Sequence, residues 1–408
     1  MKSVKEQIEV IKRGSVDLIS EEELSAKISR SLKSGLPLNI KFGADPTAPD
    51  LHFGHMVILR KLRDFQDLGH TVTFIIGDFT ARIGDPTGVN ITRRQLTKEE
   101  IAQNAQTYKK QIFKVLDEKR TDLVYNSQWL EPIKLEDVIK LAARYTVARM
   151  LERDDFSNRY KSGTPISVHE FLYPLIQGYD SVVLKADVEL GGNDQKFNLL
   201  VGRELQRDYG QEPQVIMTMP ILEGTDGVRK MSKSYGNYIA FEDSPADIFG
   251  KIMSIPDELI TKYMLLLTPA AEKDLARYDA EMKSGALNPR DLKRELGKTM
   301  AGFFHGSGQG DKAAEEFDRI FREKQLPDSI PELSLKARYG EGESLITILA
   351  DAGLVASKSE GRRLMEQGGI KIGDEKINDK DMKIIVDNLK NNPIIVKVGK
   401  RKFIKITS

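Results

Sequence analysis

The chain has 408 residues, which suggests two to four domains at about 100–200 residues per domain. It is 40% hydrophobic and 30% charged, and its longest apolar runs, such as residues 56–59 and 264–267, are far too short for a membrane span. It contains no cysteine, which excludes disulfides, thiolate metal sites and cysteine nucleophiles. Charged residues interrupt the apolar positions of the N-terminal segment, so no secretory signal is expected and we predict a cytoplasmic protein without a membrane partner.

The net charge of +1 hides an uneven distribution. Residues 357–408 hold 13 Lys/Arg against 7 Asp/Glu, and residues 390–408 hold six Lys/Arg and no acid. Such a basic segment suits contact with phosphate backbones, although a solvated tail is the simpler alternative. The apolar stretches 393–398 and 403–406 favour strands of a small folded module over a tail.

The first half of the chain alternates predicted strands and helices. Residues 38–42 predict a strand, 54–68 a helix ended by Gly69, and 71–76 a strand. Further on, 182–190 contains a strand, 193–209 predicts a helix and 214–219 a strand. This order predicts an α/β fold with a Rossmann-like doubly wound parallel sheet.

The remaining segments predict the domain organisation. The catalytic domain is placed at 1–235, with a helical insertion over about 90–180, and an all-helical domain at 236–325. Four Pro and Gly residues and few apolar positions make 326–342 a predicted linker. A small C-terminal α+β module is predicted over 343–408.

A first candidate site lies where the first strand of this series meets its helix, in the sequence KFGADPTAPDLHFGH over 41–55. Ligands bind open α/β sheets at this type of junction. Gly54 permits close approach of a ligand to the backbone, and His52 and His55 can present two imidazoles to phosphate oxygens. Taken alone, a histidine pair at a helix start is more often a cap or core filling. We interpret His70, His169 and His305 as structural.

Two other segments carry weaker signals. The sequence RKMSKS at 229–234 offers three cations in a Ser/Gly-flanked loop, which suits a transient anion such as pyrophosphate, although a solvated loop is the common case. The sequence GGNDQ at 191–195 ends a strand, where Asp194 and Gln195 could bind hydroxyls and amines, although an N-cap is the usual role.

A polar stripe interrupts an otherwise apolar helix predicted from about 168 to 180. Tyr173, Gln177 and Asp180 share one face at spacings of four and three residues. The stripe either faces solvent or lines a pocket for a small polar molecule. Asp78 and Asp85, which follow the 71–76 strand, would add carboxylates around a ligand amine.

Together these residues resemble the class I aminoacyl-tRNA synthetases, specifically the bacterial tyrosyl-tRNA synthetases, over essentially the full chain. The sequences HFGH at 52–55 and KMSKS at 230–234 resemble the two class signatures. The tyrosyl assignment depends on Tyr173, Gln177 and Asp180, together with the 45–47, 85–86 and 191–195 segments. Residues 344–383 resemble a small module shared with a ribosomal protein. The tryptophanyl relative would normally lack Asp180 and this module.

The resemblance implies a set of site residues. The implied catalytic residues are His52, His55, Lys230 and Lys233. ATP would also contact Gly43, Asp45, Thr47, Gly54, Gly192, Asp194 and Met231. Tyrosine would contact Asp85, Tyr173, Gln177, Asp180 and Gln195. The tRNA would contact Arg362, Arg363, Lys371, Lys400, Arg401 and Lys402. Many family members carry a tyrosine where Lys41 stands, as a second partner for the substrate hydroxyl.

The implied reaction joins the tyrosine carboxylate to the α-phosphorus of ATP with release of pyrophosphate, after which tRNA(Tyr) takes the amino acid. The substrate supplies the nucleophile, so catalysis is positioning and charge stabilisation, with ATP and Mg²⁺ as cofactors and no protein-bound metal. The resemblance also implies a homodimer with its interface in the helical insertion. The helical domain would face the anticodon.

Two alternatives come from other classes. A small-molecule nucleotidyltransferase also uses an H-x-G-H segment, but it would not need about 170 further residues of helical and basic modules. An inactive, synthetase-derived RNA-binding protein would keep those modules and lose the ATP residues, all of which are present here.

Overall fold

A computed structural model of the chain describes residues 2–48, 50–84, 97–321, 330–373, 375–390, 392–399 and 402–408. They divide into two units, residues 1–310 and 311–408. Among these described residues, no helix is both long and apolar enough to cross a bilayer.

The first unit is built on a six-stranded sheet in the order β1-β6-β5-β2-β3-β4. Its strands are β1 Asp17–Ile19, β2 Asn39–Ala44, β3 Thr71–Ile76, β4 Thr121–Tyr125, β5 Val188–Gly192 and β6 Val215–Met219. Strands β2 to β6 are parallel, and β1 pairs antiparallel with β6 at the edge. The predicted α/β fold with a parallel sheet is confirmed.

Helices cover the sheet and continue beyond it. In this part they are α1 Val4–Lys12, α2 Glu21–Ser34, α3 Phe53–Asp67, α4 Thr80–Ile83, α5 Lys98–Ile112, α6 Ser127–Leu130, α7 Leu135–Ala142, α8 Val147–Met150, α9 Asp154–Lys161, α10 Val168–Leu184 and α11 Lys196–Asp208. Gly69 follows α3 at φ 102°, a left-handed conformation that suits glycine, which agrees with the predicted helix end.

The helices predicted beyond residue 244 are α12 Pro245–Met253, α13 Ile260–Leu267, α14 Glu272–Ser284, α15 Pro289–His305 and α16 Ser307–Phe321. Ile248, Ile252, Leu292 and Leu296 pack in the same hydrophobic core as the sheet residues. The predicted boundary at residue 235 therefore does not separate two cores, because the helices after it bury their apolar faces against the sheet unit.

The second unit contains its own sheet and core. It comprises β7 Glu332–Ser334, α17 Leu335–Tyr339, β8 Gly342–Ser344, α18 Leu345–Asp351, α19 Lys358–Glu366, β9 Ile370–Ile372, β10 Glu375–Lys376, β11 Lys383–Ile385, β12 Ile394–Val398 and β13 Lys402–Thr407. The two predicted C-terminal strands are β12 and β13, and they pair with each other.

Two parts of the predicted organisation are corrected. The 326–342 linker is wrong over its described part, because β7 pairs with β13 and Leu335 is fully buried in the C-terminal core. The insertion at about 90–180 is not wholly helical, because β4 extends the main sheet beside β3. Both strands depend on partners that lie far away in the sequence.

Because β7 and Leu335 belong to the C-terminal sheet and core, two truncations on either side of residues 330–340 should behave differently. A chain that lacks 330–408 loses the whole C-terminal sheet and should stay monodisperse, with cooperative unfolding. A chain that lacks 341–408 keeps Leu335 without its core and should expose it to solvent. Size-exclusion chromatography and binding of a hydrophobic dye measure the difference. Identical behaviour of the two truncations would contradict the assignment of 330–340 to the C-terminal unit.

Candidate active site

The site lies where the strand order of the main sheet reverses. Strand β2 pairs with β3 on one side and with β5 on the other, so the connections leave the carboxyl ends of β2 and β5 in opposite directions. Ligands of open α/β sheets bind in the crevice that this reversal creates. Gly43 lies near the end of β2 and Gly192 ends β5, so two of the three predicted ATP-binding glycines lie at this edge.

The histidine pair forms the N-terminal cap of α3. Nδ1 of His52 accepts the Gly54 amide at 3.1 Å, and Nδ1 of His55 accepts the His52 amide at 3.2 Å. The capping alternative is therefore correct for these two nitrogen atoms. Because each Nδ1 accepts, the ring proton of both histidines lies on Nε2, which can donate to a ligand.

The electrostatics of the pair agree with this donor role. Burial lowers the pKa of His52 to about 2, with smaller contributions from His55 and the Lys233 ammonium. Burial also lowers the pKa of His55 to about 4. Both imidazoles are therefore neutral near pH 7 and suited to hydrogen-bond phosphate oxygens rather than to pair with them as cations.

The 45–51 loop is held from two sides. The Asp45 carboxylate accepts the Thr80 hydroxyl at 2.6 Å and the Tyr173 hydroxyl at 2.8 Å. Helix α5 holds the loop from the other side, because Asn104 donates to the Pro46 carbonyl and Gln111 accepts the Leu51 amide. Asp45 thus joins the predicted ATP segment to the predicted tyrosine helix.

The second signature lies against the first. Met231 is buried, and a Cβ added at Gly54 would lie 3.8 Å from the Met231 Cβ and 2.9 Å from the His52 ring. The Lys233 ammonium lies 2.8 Å from the Asp50 carboxylate, next to the histidine cap. Lys230 is exposed at the start of the loop.

Asn237 organises this loop, and the sequence analysis missed it. Its side chain is 4% exposed. Its amide donates to Asp226 at 3.0 Å and its Oδ1 accepts the Ser232 amide at 2.9 Å. No sequence signal marks it beyond its place three residues after the signature.

The polar stripe on α10 faces the interior. Asp180 is 4% exposed, and its carboxylate accepts Trp129 Nε1 at 2.8 Å and Asn126 Nδ2 at 3.4 Å. Burial raises the pKa of Asp180 to about 6, against the nearby Lys41 charge and the Trp129 and Asn126 hydrogen bonds. A buried carboxylate with this surrounding is typical of a functional site.

The other polar residues of the pocket are linked to one another. The Asn198 side-chain amide donates hydrogen bonds to Gln177 Oε1 at 2.9 Å and to Gln195 Oε1 at 3.1 Å. Tyr173 donates to Asp45, as described above. Asp194 is exposed beside Gly192, where a Cβ would lie 2.5 Å from its Oδ1.

Several predicted site residues lie elsewhere. Thr47 is exposed in the 45–51 loop, and its amide donates to the Asp45 carbonyl. Asp85, Lys400 and Arg401 lie outside the described residues. In the C-terminal unit, Arg362 and Arg363 are exposed on α19, Lys371 is on β9 and Lys402 begins β13. Across the described ranges, no three His, Asp or Glu side chains are grouped so as to hold a metal ion.

The role of Asn237 generates a prediction. Asn237→Ala removes four side-chain hydrogen bonds, of which three hold the 229–234 loop directly and one holds Asp226. The loop should therefore open more easily by roughly 1 to 3 kcal/mol. Trypsin should then cleave between residues 229 and 234 about 5-fold to 150-fold faster.

The matched control is Asn288→Ala, which removes the cap of α15. It should reduce stability without faster cleavage in the loop. Equal loop cleavage in the wild type and Asn237→Ala would show that other contacts hold the loop.

Comparisons with known proteins agree with this geometry. The family described as tRNA synthetases class I (W and Y) matches residues 33–322, and the tyrosine–tRNA ligase SYY-like C-terminal domain matches 323–406. The chain is 55% identical to a tyrosine–tRNA ligase of Carboxydothermus hydrogenoformans, over 99% of this chain and 98% of that protein. It is 54% identical to one of Thermotoga maritima, over 98% and 97%.

Solved structures give the same answer. The tyrosyl-tRNA synthetase of Archaeoglobus fulgidus, complexed with L-tyrosine, matches with a TM-score of 0.61 and 28% identity over 76% of this chain and 99% of that chain. A truncated mitochondrial tyrosyl-tRNA synthetase of Aspergillus nidulans shares the fold, with a TM-score of 0.63 and 22% identity over 79% and 95%. The chain therefore belongs to the bacterial tyrosyl-tRNA synthetases, the tyrosine–tRNA ligases of class I.

Proposed function

We propose that this chain activates L-tyrosine with ATP to tyrosyl-adenylate and pyrophosphate, and then transfers tyrosine to the 3′ end of tRNA(Tyr). The observation that carries the proposal is that hydrogen bonds connect the predicted nucleotide end of the site with the predicted tyrosine end. Asp45 links the histidine-capped loop to the helix that bears the buried Asp180. One small molecule can thus meet a hydroxyl acceptor at one end and phosphate-binding groups at the other. The tRNA partner makes the cytoplasm the proposed location.

We assign the nucleotide end of the site to the two signatures. The substrate carboxylate attacks the α-phosphorus in line, so the protein needs no general base. His52 and His55 donate from Nε2 to phosphate oxygens. Lys230 and Lys233 stabilise the negative charge of the departing pyrophosphate, which the Mg²⁺ that accompanies ATP also shares. Gly43, Thr47, Gly54 and Gly192 supply backbone close to the nucleotide, and Asp194 its ribose contact.

The tyrosine end is assigned to Asp180 with Tyr173, Gln177 and Gln195. A buried carboxylate already satisfied by Trp129 and Asn126 has further lone pairs for one more donor. The substrate hydroxyl is that donor. Phenylalanine has no hydroxyl and would leave the buried Asp180 carboxylate without this donor, which is the physical basis of the proposed selectivity.

The C-terminal unit is proposed to contact tRNA. Arg362 and Arg363 are adjacent and exposed on α19. Lys371 on β9 stands directly opposite Lys397 on β12, so two like charges face each other across the strands. A phosphate backbone relieves this repulsion, which supports the assignment of this surface and of Lys402 to RNA.

A second copy of the chain is proposed to cover an apolar face of the helical insertion. Leu135 and Ile139 lie one turn apart on α7, Val147 begins α8 and Val168 begins α10. These four side chains are between 60% and 79% exposed. Such exposure of several large apolar residues within the insertion is typical of a protein interface and supports a homodimer.

The nucleotide assignment predicts a loss in the chemical step. His55→Asn keeps an acceptor for the His52 amide and removes the Nε2 donor, and Lys233→Ala removes the ammonium. Each should slow single-turnover adenylate formation by roughly 100-fold while tyrosine affinity changes less than about threefold. The exposed Lys283→Ala on α14 is the control. Wild-type adenylation in either variant would contradict its assigned role.

The tyrosine assignment predicts a loss of discrimination. Asp180→Ala removes the hydroxyl acceptor, so the ratio of kcat/KM for tyrosine to that for phenylalanine should fall by at least about tenfold in ATP–pyrophosphate exchange. The fall in this ratio should come mainly from a lower kcat/KM for tyrosine. An unchanged ratio would move the hydroxyl contact to Gln177.

A further inference from the structure

A buried ion pair lies beneath the tyrosine pocket. Lys41 on β2 and Glu189 on β5 are neighbours in the sheet register, and both residues are at most 1% exposed. Their Nζ and Oε1 atoms are 2.8 Å apart. Removal of two charges from water is costly, so such a pair points to a specific role in the pocket above it.

The Lys41 ammonium uses all three of its protons within the protein. It donates to Glu189, to the Ser181 hydroxyl at 2.6 Å and to the Gln177 carbonyl at 3.0 Å. A direct hydrogen bond from Lys41 to the substrate hydroxyl would therefore require one of these contacts to break.

The two α10 contacts lie on either side of Asp180. Gln177 and Ser181 are four residues apart, so Lys41 holds both ends of the helical turn that carries the Asp180 side chain. The same turn is also packed closely on α11. A Cβ at Gly178 would lie 3.1 Å from the Gly202 backbone. The ion pair thus fixes the place of the carboxylate.

We infer that Lys41, with Glu189 as its counter-ion, is a positioning residue for tyrosine specificity, which holds Asp180 in place and keeps it negatively charged for the substrate hydroxyl. This inference rests on the proposed function of Asp180. Lys41 itself does not contact the substrate.

The charges around Asp180 give this role a distinctive signature. Lys41 and Glu189 are two charged groups that influence it, and Trp129 and Asn126 donate hydrogen bonds to it. The positive charge of Lys41 lowers the pKa of Asp180, whereas the negative charge of Glu189 raises it. Removal of the Lys41 charge should therefore raise the pKa of Asp180, whereas removal of the Glu189 charge should lower it.

The test is the pH profile of kcat/KM for tyrosine in ATP–pyrophosphate exchange between pH 5 and 8.5. In the wild type, kcat/KM should fall below about pH 6 as Asp180 takes up a proton, and this fall is the acidic limb of the profile. Lys41→Met should move this limb upward by about one pH unit, with KM affected more than kcat and recovery at pH 8.5. Glu189→Gln should move it downward.

The Glu189→Gln substitution has a local compensation available. Gln214 donates its amide to Glu189 Oε2, and its own Oε1 accepts no hydrogen bond within the described chain. Rotation of the Gln214 amide can therefore satisfy the new NH₂ group of residue 189, while Oε1 of that residue still accepts from Lys41.

A matched control separates positioning from loss of stability. Lys27 is also 1% exposed, with its ammonium within 3.5 Å of Asp187 and Glu212, and it belongs to no proposed site. Lys27→Met should reduce thermal stability and leave the limb in place. If Lys41→Met does not fold, the double variant Lys41→Met/Glu189→Gln replaces it. Its limb should lie above that of Glu189→Gln.

The outcomes are distinct. Limbs of Lys41→Met and Glu189→Gln that stay at the wild-type pH, or that move in the same direction, would overturn the inference. Absence of tyrosine-dependent exchange in the wild type would instead contradict the proposed function. Opposite shifts, with the Lys27→Met limb unmoved, would support the positioning role.

Discussion

Burial of the Asp180 carboxylate is the constraint on which the rest of the site depends. A carboxylate removed from water is costly unless donors and a nearby positive charge compensate. Here the donors come from Trp129 on α6 and from Asn126, and the charge comes from Lys41 on β2. Two separate parts of the chain, the segment of Asn126 and Trp129 and the strand of Lys41, must therefore assemble around α10 before this pocket exists.

The same assembly connects the two chemical ends of the site. Tyr173 lies on α10 with Asp180, and its hydroxyl donates to Asp45 at the start of the loop that leads to the histidine cap. The cap in turn sets the ring orientation of His52 and His55, and Lys233 reaches the loop through Asp50. Hydrogen bonds and an ion pair thus connect the helix of the hydroxyl acceptor with the phosphate-binding groups, which suits catalysis by positioning.

Local patterns predicted much of this fold and site, whereas contacts between distant segments escaped them. The 71–76 strand has the predicted bounds, and the two signatures and the 173–180 stripe lie where the sequence indicated. Strands β4 and β7 were missed because each is short and partly exposed, and is defined by a partner strand. The links from Lys41 to Glu189 and from Asp180 to Trp129 join segments from about 50 to 150 residues apart, which no periodicity can reveal.

The central claim is that a buried, charged acceptor selects tyrosine. Its most direct test is ATP–pyrophosphate exchange by the wild type with each of the 20 amino acids in turn. Tyrosine should support exchange, with kcat/KM for phenylalanine and tryptophan at least about 100-fold lower, since an unmet buried charged acceptor costs about 3 kcal/mol or more. Comparable exchange with phenylalanine, or none with tyrosine, would contradict the account.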